Sequence, residues 1–421
     1  MADRLANSYY AATANRVRTP VSAHGDMDCD VVVIGGGFTG VAGALACAEK
    51  GFNVILLEAE TIGFGASGRN GGQLIPGLRW GMRDIHAEFG GERAAAIFKV
   101  AWSARDRVWR RIARHGIACN LKPGHLEAAY KPAHLDDMRA EAEFLAQEYG
   151  HVTSVLEASE LGRHIRGGNY HGGVFDPQGG HFHPLNYALG LADAAESAGV
   201  RIFEQSRVTA LEDKGAVEVR TDAARIRARH ALLATDAWTG EIAPALGRFT
   251  IPIMNYNVAT APLADPRALL PSDAAVADSR FVLNYFRLSA DGRLLFGGGE
   301  KYVQRPPADI AGFVRHHIVQ VFPQLADTPI DYAWGGAVSV SMNRLPHVGR
   351  TGNIFYAQGF SGHGALVTTL AGELVAEALA GTASSFDVMT SLPVQPFPGG
   401  KWLRQPLATL GLLWYALRDR L

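Results

Sequence analysis

The residues near the N-terminus that are best suited to chemistry are glycines in the spacing G-x-G-x-x-G. Residues 30–34 read DVVVI, and Gly35, Gly37 and Gly40 follow this apolar run directly. Between a buried parallel strand and a helix, this spacing permits a tight turn, close approach of the backbone to a pyrophosphate, and close packing of helix and strand. The amides at the helix N-terminus then stabilise the phosphate charge. The segment therefore predicts a dinucleotide-binding turn.

An acidic residue after the next apolar run supports this prediction. Apolar residues recur at helical spacing from Val41 to Ala48, Gly51 ends the pattern, and residues 53–58 read NVILLE. The pattern predicts a β-α-β unit in which Glu58 accepts hydrogen bonds from a ribose 2′-hydroxyl. The alternative is a glycine-rich turn without a ligand, and the full combination of strand, helix, second strand and acid argues against it.

A second glycine-rich segment points to the type of dinucleotide. Residues 61–73 read TIGFGASGRNGGQ and hold five glycines between positions 63 and 72. Because glycine has no side chain to keep the backbone away, such a loop can lie against a flat heterocycle, while Ser67, Arg69, Asn70 and Gln73 offer hydrogen bonds. This arrangement favours FAD over NAD, and a flexible linker is the alternative interpretation.

A third glycine-rich segment lies near the C-terminus. Residues 359–364 read GFSGHG, follow the apolar run 354–357, and precede a helical stripe formed by Leu366, Leu370 and Leu374. A helix N-terminus is therefore expected to face a ligand there. His363 is predicted to lie near the cofactor, and a direct role in proton transfer is the less favoured possibility.

No pattern in the chain indicates a metal site or a disulfide framework. His181 and His183 lie two residues apart, but no third ligand is suggested nearby, so structural roles are favoured. The three cysteines are widely spaced and contain no C-x-x-C pair.

The composition excludes several classes of protein. The chain has 421 residues, of which 48% are hydrophobic, and its 40 basic and 41 acidic residues give a net charge of −1. It is therefore expected to be folded, to contain more than one domain and not to bind nucleic acid. With no signal pattern and no apolar run of membrane-spanning length, we expect a soluble, cytoplasmic protein. The apolar tail at 407–417 is expected to dock on the protein body, with contact to a membrane surface as the weaker alternative.

In combination, these segments resemble the FAD-dependent D-amino-acid oxidase (DAO) superfamily, and within it the bacterial gamma-glutamylputrescine oxidases. The resemblance extends along nearly the whole chain through segments that read SYYAA at 8–12, GGHFHPLN at 179–186, RLLFGGG at 293–299, QGFSGHG at 358–364 and PFPGG at 396–400. It implies an α/β (mixed α+β) fold, in which a Rossmann-type FAD-binding domain is interleaved with a substrate domain built on a mixed, largely antiparallel sheet. We expect the FAD domain at 29–115, 184–248 and 332–385, the substrate domain at 116–183 and 249–331, and a tail with a short apolar helix at 386–421.

The motifs and the resemblance together assign the cofactor contacts. They are Gly35, Gly37, Phe38, Thr39, Gly40, Glu58, Ala59, Gly65, Ala66, Ser67, Arg69, Asn70, Gly71, Gly72, Gln73, Val208, Ala234, Thr235, Trp238, Gly359, Phe360, Ser361, Gly362, His363 and Gly364. Residues near the positions that some relatives use to bond FAD covalently are neither cysteine nor histidine, so we expect non-covalent FAD.

The resemblance also implies the reaction. A neutral amine transfers a hydride to the flavin, the imine is hydrolysed, and dioxygen reoxidises the flavin to give hydrogen peroxide. The alternatives are a dehydrogenase of the same fold that passes electrons to a quinone or carrier, and a catalytically idle flavoprotein. His363 and Tyr285 are the candidate catalytic residues, although Tyr285 is equally compatible with a core position.

Two departures from the family pattern bear on the substrate. Val338 occupies the position of a carboxylate-binding arginine, and Leu366 occupies that of a carboxylate-binding lysine. The absence of this arginine and this lysine favours an amine without an adjacent carboxylate, such as gamma-glutamylputrescine or a related gamma-glutamylated polyamine. An N-alkyl amino acid held by Arg69 or Arg344 is the alternative substrate.

Overall fold

Two β-sheets organise the protein in its computed structural model, which describes residues 8–301, 307–400, 403–407 and 409–411. The strands are β1 Gly25–Ile34, β2 Val54–Leu57, β3 Gln73–Leu74, β4 Lys122–Ala128, β5 Ser154–Glu157, β6 Gly172–His181, β7 Arg201–Phe203, β8 Ala210–Asp213, β9 Val217–Arg220, β10 Ala224–Leu233, β11 Thr250–Thr260, β12 Ala275–Asp278, β13 Tyr285–Leu288, β14 Leu294–Lys301, β15 Ile330–Ser341, β16 His347–Thr351 and β17 Ile354–Gln358. The helices are α1 Tyr9–Ala12, α2 Phe38–Glu49, α3 Met82–Phe89, α4 Gly91–His115, α5 Pro132–Tyr149, α6 Pro184–Ser197, α7 Thr239–Ile242, α8 Pro244–Gly247, α9 Ile310–Val321, α10 Gly364–Leu379 and α11 Ser384–Thr390.

The first sheet has the strand order β16-β17-β10-β1-β2-β7, and the hairpin β8–β9 joins it through β10. Strands β17, β10, β1, β2 and β7 run parallel. Alternate residues of β1 enter two different hydrophobic cores, since Val31 and Val33 pack with the helices α2, α6 and α10, whereas Val32 and Ile34 pack with the β8–β9 hairpin. This burial on both faces explains the uninterrupted apolar run that predicted a parallel strand.

The second sheet has the order β15-β11-β14-β13-β12-β4-β6-β3, with β5 paired to β6. All of its pairs are antiparallel except β12 with β4. Helix α9 packs on this sheet through Val314, Ile318 and Val321. The predicted fold, a Rossmann-type unit beside a mixed and largely antiparallel sheet, is confirmed.

The predicted division into domains stays a prediction, although the sheets bear on its boundaries. Strand β15 pairs with β11 in the second sheet, whereas the predicted FAD segment begins inside it at residue 332. Strand β1 begins at Gly25, ahead of the predicted boundary at residue 29.

One predicted strand is shorter than the sequence indicated. Residues 281–288 read FVLNYFRL, and this alternation predicts a strand over the whole segment, whereas β13 begins only at Tyr285. The Asp278 side chain accepts hydrogen bonds from the amides of Arg280 and Asn284, at 3.3 and 3.0 Å, and so turns the chain between them. Residues 281–284 consequently form a loop.

Two glycines let helices α2 and α10 approach each other closely. A Cβ atom at Gly372 would lie 2.2 Å from the carbonyl oxygen of Thr39 and 2.7 Å from the amide nitrogen of Gly43. The two helices therefore meet backbone to backbone. Their N-termini, at Phe38 and Gly364, line the same cavity.

The C-terminal tail is described only in part. The guanidinium of Arg404 donates a hydrogen bond to the backbone oxygen of Gly247, while Leu407 and Leu410 are exposed. Most of the predicted apolar helix lies outside the described residues, so both the expected docking on the protein body and the alternative contact with a membrane surface stay predictions. Within the described ranges, no helix has both the length and the apolar character needed to cross a membrane.

Candidate functional site

A cavity of about 490 Å³ lies where the two sheets meet, a volume typical of ligand sites. It is lined by all but three of the predicted cofactor residues, together with Tyr285. The lining members of the predicted set are Gly35, Gly37, Phe38, Thr39, Glu58, Ala59, Gly65, Ala66, Ser67, Arg69, Asn70, Gly71, Gln73, Val208, Ala234, Thr235, Trp238, Phe360, Ser361, Gly362, His363 and Gly364. The three glycine-rich segments, distant in sequence, thus border one space.

The three remaining residues, Gly40, Gly72 and Gly359, lie behind the cavity wall. A Cβ atom at Gly40 would lie 1.9 Å from the carbonyl oxygen of Gly35, which is the helix–strand packing role expected of the third glycine. Gly72 and Gly359 both have positive φ angles, near +73° and +72°. They shape the backbone of the two loops and do not border the cavity.

The first turn is held by the acid at the end of β2. The Glu58 carboxylate accepts hydrogen bonds from the amides of Gly36 and Glu60, at 2.5 and 2.9 Å. Burial raises the pKa of Glu58, and these two amides act against that shift. Glu58 therefore orders the nucleotide-binding turn as well as facing the cavity, a second role that its position in the motif did not indicate.

The polar residues of the second segment fix the loop itself. The Ser67 hydroxyl accepts a hydrogen bond from the amide of Phe38 at 2.9 Å, which joins the loop to the N-terminus of α2. The Asn70 side chain donates to the backbone oxygens of Ala66 and Ser67 and accepts from the amide of Gly72. These bonds hold the backbone of the loop against the cavity.

Arg69 joins the loop to the second sheet. Its Nε donates to the oxygen of Phe64 at 2.7 Å, and its Nη1 donates to the oxygen of Gly335 in β15 at 3.1 Å. The indole N–H of Trp334 donates to the oxygen of Arg69 at 2.9 Å. The Arg69 guanidinium is thus engaged with backbone carbonyls, which disfavours the alternative in which it holds a substrate carboxylate.

The N-terminal SYYAA segment supports the same loop from behind. The Tyr10 side chain is fully buried, and its hydroxyl accepts a hydrogen bond from Arg287 Nη2 at 3.1 Å. Arg287 Nε donates to the oxygen of Gly71 at 2.7 Å. This segment therefore acts on the site through Arg287, without lining it.

Tyr285 lies on the cavity side of the second sheet. Its hydroxyl donates a hydrogen bond to the side-chain oxygen of Asn255, which also lines the cavity. Its ring lies against Gly71 and Gly297, where an added Cβ atom would overlap it. Of the two interpretations of Tyr285, the structure favours the pocket position, and Gly297 of the RLLFGGG segment leaves space for the ring.

His363 lies at the N-terminus of α10 and is neutral. Burial, with the positive charge of Arg79, lowers the pKa of His363 to about 3. The enclosed site thus disfavours the positively charged imidazole. Its Nε2 atom is buried and has no hydrogen-bond partner among the described residues, so it is available to a ligand group in the cavity.

Asp236 was not predicted, although it lines the cavity beside Thr235. Its carboxylate accepts a hydrogen bond from the amide of Gly359 at 2.9 Å, and its backbone has a positive φ of 44°. Burial raises the pKa of Asp236 to about 6. An aspartate within a run of small residues gave no local signal that it would fix the start of the GFSGHG loop.

The raised pKa of Asp236 predicts a pH-dependent contribution to stability. Because the folded-state pKa lies above the value of about 4 for a free aspartate, this contribution is complete below pH 4 and is lost as the pH rises through about 6. Relative to Asp236→Asn, the wild-type flavin-free protein should gain about 2 kcal/mol in free energy of unfolding between pH 7 and pH 4. Urea unfolding of both proteins across this range measures the difference, and parallel pH profiles would contradict the assignment.

His181 and His183, the closely spaced pair in the sequence, lie outside the cavity and are held by protein contacts. His181 Nε2 lies 2.7 Å from the oxygen of Asp273, and His183 Nδ1 accepts from the amide of Asn186 at 3.1 Å. Burial lowers the pKa of each to about 3. Both interact with chain groups, in keeping with the structural roles predicted for them.

Comparisons with known proteins agree with this geometry. A profile of the family described as FAD dependent oxidoreductase (DAO) matches residues 30–378. Over 419 residues the chain is 39% identical to gamma-glutamylputrescine oxidoreductase of Escherichia coli (strain K12), covering 99% of this chain and 98% of that protein. It is 37% identical over 417 residues to the probable oxidoreductase OrdL of Rhizobium meliloti (strain 1021), covering 98% and 97%.

Solved structures show the same fold. Glycine oxidase from Geobacillus kaustophilus superposes with a TM-score of 0.71 at 23% identity, over 85% of this chain and 95% of that one. L-proline dehydrogenase from P. horikoshii superposes with a TM-score of 0.70 at 22% identity, over 86% and 94%. At these identities the likeness concerns the fold alone.

Proposed function

Because the chain belongs to the DAO family of FAD-dependent oxidoreductases, we propose that it oxidises an amine, namely gamma-glutamylputrescine or a related gamma-glutamylated polyamine. The observation that carries the proposal is the meeting of the nucleotide-binding turn, the loop at 63–73 and the N-terminus of α10 at one cavity. The substrate is suggested by the E. coli relative, whose printed name is gamma-glutamylputrescine oxidoreductase.

The residues around the cavity fit FAD. A Cβ atom added to Gly35 would lie 2.5 Å from the oxygen of Ala234, and one added to Gly37 would lie 2.9 Å from Ser67 Oγ. Neither position has room for a side chain, so the backbone itself lies at the cavity surface. The helix N-terminus at Phe38 would hold the pyrophosphate, and Glu58 the ribose hydroxyls. The backbone of residues 63–73 and the N-terminus of α10 would flank the ring.

The chain's own groups support amine oxidation at this place. Bound FAD supplies the hydride acceptor, and the protein supplies orientation, exclusion of water and local charge. The N-terminus of α10 stabilises negative charge in the cavity, an effect that does not need a charged His363. The Nε2 atom of neutral His363, which has no partner among the described residues, can accept a hydrogen bond from an amine, and the Tyr285–Asn255 pair adds polar groups to the lining of the same cavity.

The proposed overall reaction is balanced with dioxygen as the oxidant. The amine loses two electrons and two protons to give an imine, dioxygen takes them up as hydrogen peroxide, and water converts the imine to an aldehyde and ammonia. No protein nucleophile or metal ion is required.

Two apolar residues stand at the positions where relatives bind a carboxylate, which supports a substrate without a carboxylate beside the reacting carbon. Val338 lines the cavity where the arginine would stand. Leu366, at the lysine position, is buried among core residues of α10. Neither side chain can bind an anion, which favours a terminal amine over an α-amino acid.

An aerobic assay tests the oxidase proposal. Incubation of the FAD-loaded protein with gamma-glutamylputrescine is expected to consume dioxygen and release hydrogen peroxide in equal amounts, whereas putrescine and N-methyl amino acids should react far more slowly. If an artificial electron acceptor supports turnover while oxygen uptake and peroxide stay at background, the protein is instead a dehydrogenase that uses a carrier.

The mode of FAD binding yields a separate prediction. Arg69, Asn70 and Trp334 stand near the positions that some relatives use for a covalent bond to the flavin, and none has a suitable nucleophilic side chain. Acid precipitation is therefore expected to release essentially all of the flavin into the supernatant. Yellow colour that stays with the precipitated protein would contradict non-covalent binding.

A further inference from the structure

Two oppositely charged side chains of the cavity have no hydrogen-bond or ion-pair partner among the described residues. Arg79 and Glu127 both line the cavity, and neither forms a hydrogen bond or an ion pair with any described residue. Glu127 lies on β4, where its neighbours Leu126 and Ala128 enter the hydrophobic core of the second sheet. Because side chains alternate along a strand, Glu127 projects from the opposite face, into the cavity.

No cationic side chain among the described residues lies within ion-pair distance of the Glu127 carboxylate. The carboxylate keeps a large accessible surface, but that surface lies within the cavity and protein surrounds it. Burial raises the pKa of Glu127, and the positive charge of Arg79 opposes this shift. Charged groups enclosed in this way are costly unless a partner of opposite charge is present.

The neighbouring acids, in contrast, already have partners. Asp278 forms an ion pair with Arg280 and accepts from the amide of Asn284. Glu141 accepts hydrogen bonds from the amides of Met82 and Arg83. Among the described charged residues around Glu127, the carboxylates of Asp278 and Glu141 are thus satisfied, whereas Arg79 and Glu127 are not.

We propose that Arg79 and Glu127 together bind a zwitterionic α-amino-acid group at the end of the substrate remote from the reacting amine. Arg79 pairs with the α-carboxylate, and Glu127 pairs with the α-ammonium. This inference rests on the proposed function, since a gamma-glutamyl amine carries such a group and a free polyamine does not. It also explains how a carboxylate is recognised in a site that has Val338 and Leu366 at the positions of the family's anion-binding residues.

The two charges can be tested, in the absence of dioxygen, with ligands that lack the terminal amine of the putrescine moiety. The probes are the gamma-glutamyl, glutaryl and 4-aminobutyryl amides of butylamine, which present the zwitterion, the carboxylate alone and the ammonium alone. Calorimetric titration of the FAD-loaded protein gives a dissociation constant for each. The wild-type protein is expected to bind the gamma-glutamyl amide most tightly.

The variants should separate the two contributions. Arg79→Ala is expected to weaken the gamma-glutamyl and glutaryl amides by about 10- to 100-fold and to change the 4-aminobutyryl amide by less than about 3-fold. Glu127→Gln is expected to weaken the gamma-glutamyl and 4-aminobutyryl amides by a similar factor and to leave the glutaryl amide nearly unchanged. Exposed Arg83 and Glu143 provide controls, since Arg83→Ala and Glu143→Gln make the same charge changes and should alter no dissociation constant.

The proposal is overturned if either cavity variant weakens all three amides equally, or if the wild-type protein does not prefer the zwitterion. The binding measurements do not depend on whether the enzyme oxidises its substrate. Tight, charge-selective binding of the amides without oxidation of gamma-glutamylputrescine would contradict the proposed function alone, and oxidation without this selectivity would contradict the inference alone.

Discussion

The Gly35→Ala substitution is expected to abolish FAD binding and to lower the free energy of unfolding by about 3 kcal/mol or more. Gly35 has a φ of +112°, which an L-residue rarely adopts, and its Cβ atom would lie 2.5 Å from the carbonyl oxygen of Ala234. The turn and the end of β10 would have to separate. The ratio of flavin absorbance to protein absorbance, together with urea unfolding, measures both effects.

Gly51→Ala provides the matched control for this prediction. Gly51 follows the C-terminal end of helix α2, has a φ of +87° and has no atom within 4 Å of an added Cβ. It carries the same kind of backbone strain without the collision, so a loss of about 1 kcal/mol with full FAD binding is expected. Equal losses in the two variants would show that strain alone, and not the contact with Ala234, makes Gly35 necessary.

Gly372→Ala is expected to have the second largest effect. The added methyl group would lie 2.2 Å from the Thr39 oxygen, so α10 and α2 would have to move apart. Alanine favours a helix by about 1 kcal/mol over glycine, but overpacking of backbone against backbone is expected to exceed this gain. Because both helix N-termini line the cavity, we expect a net loss of about 2 kcal/mol and FAD affinity lowered by about tenfold or more.

Gly43→Ala tests the same helix crossing with a softer contact. A Cβ atom at Gly43 would lie 2.6 Å from a terminal methyl group of Leu232 and more than 3 Å from the backbone of Gly372. Rotation of the leucine side chain can relieve this overlap, so the loss should stay within about 1 kcal/mol and FAD should remain bound. A larger effect at Gly43 than at Gly372 would contradict this account of the crossing.

The parts of the site that the sequence predicted depend on local rules. The turn at Gly35, the acid at the end of β2 and the helix after Gly364 each follow from residues close together in the chain. The apolar run of β1 is also a local signal, and it predicts a parallel strand from residues 30–34 alone. The uninterrupted apolar pattern reflects burial on both faces.

The parts that the sequence did not predict depend on contacts between distant segments. The backbone contact of Gly43 with Gly372, and the hydrogen bond from the amide of Gly359 to Asp236, join residues with no local pattern in common. Likewise, the finding that Arg79 and Glu127 have no hydrogen-bond or ion-pair partner among the described residues requires the positions of the surrounding acids. The over-long strand prediction at 281–288 has the same cause, because alternation gives no sign of the Asp278 side chain that bends the chain.

Oxidation of gamma-glutamylputrescine by the bound flavin is the central claim, and anaerobic titration of the FAD-loaded protein tests it most directly. Addition of gamma-glutamylputrescine is expected to bleach the visible flavin absorbance with one equivalent of amine per flavin, and admission of air should restore the colour. A flavin spectrum unchanged by excess gamma-glutamylputrescine, in protein that still holds its FAD, would contradict the account.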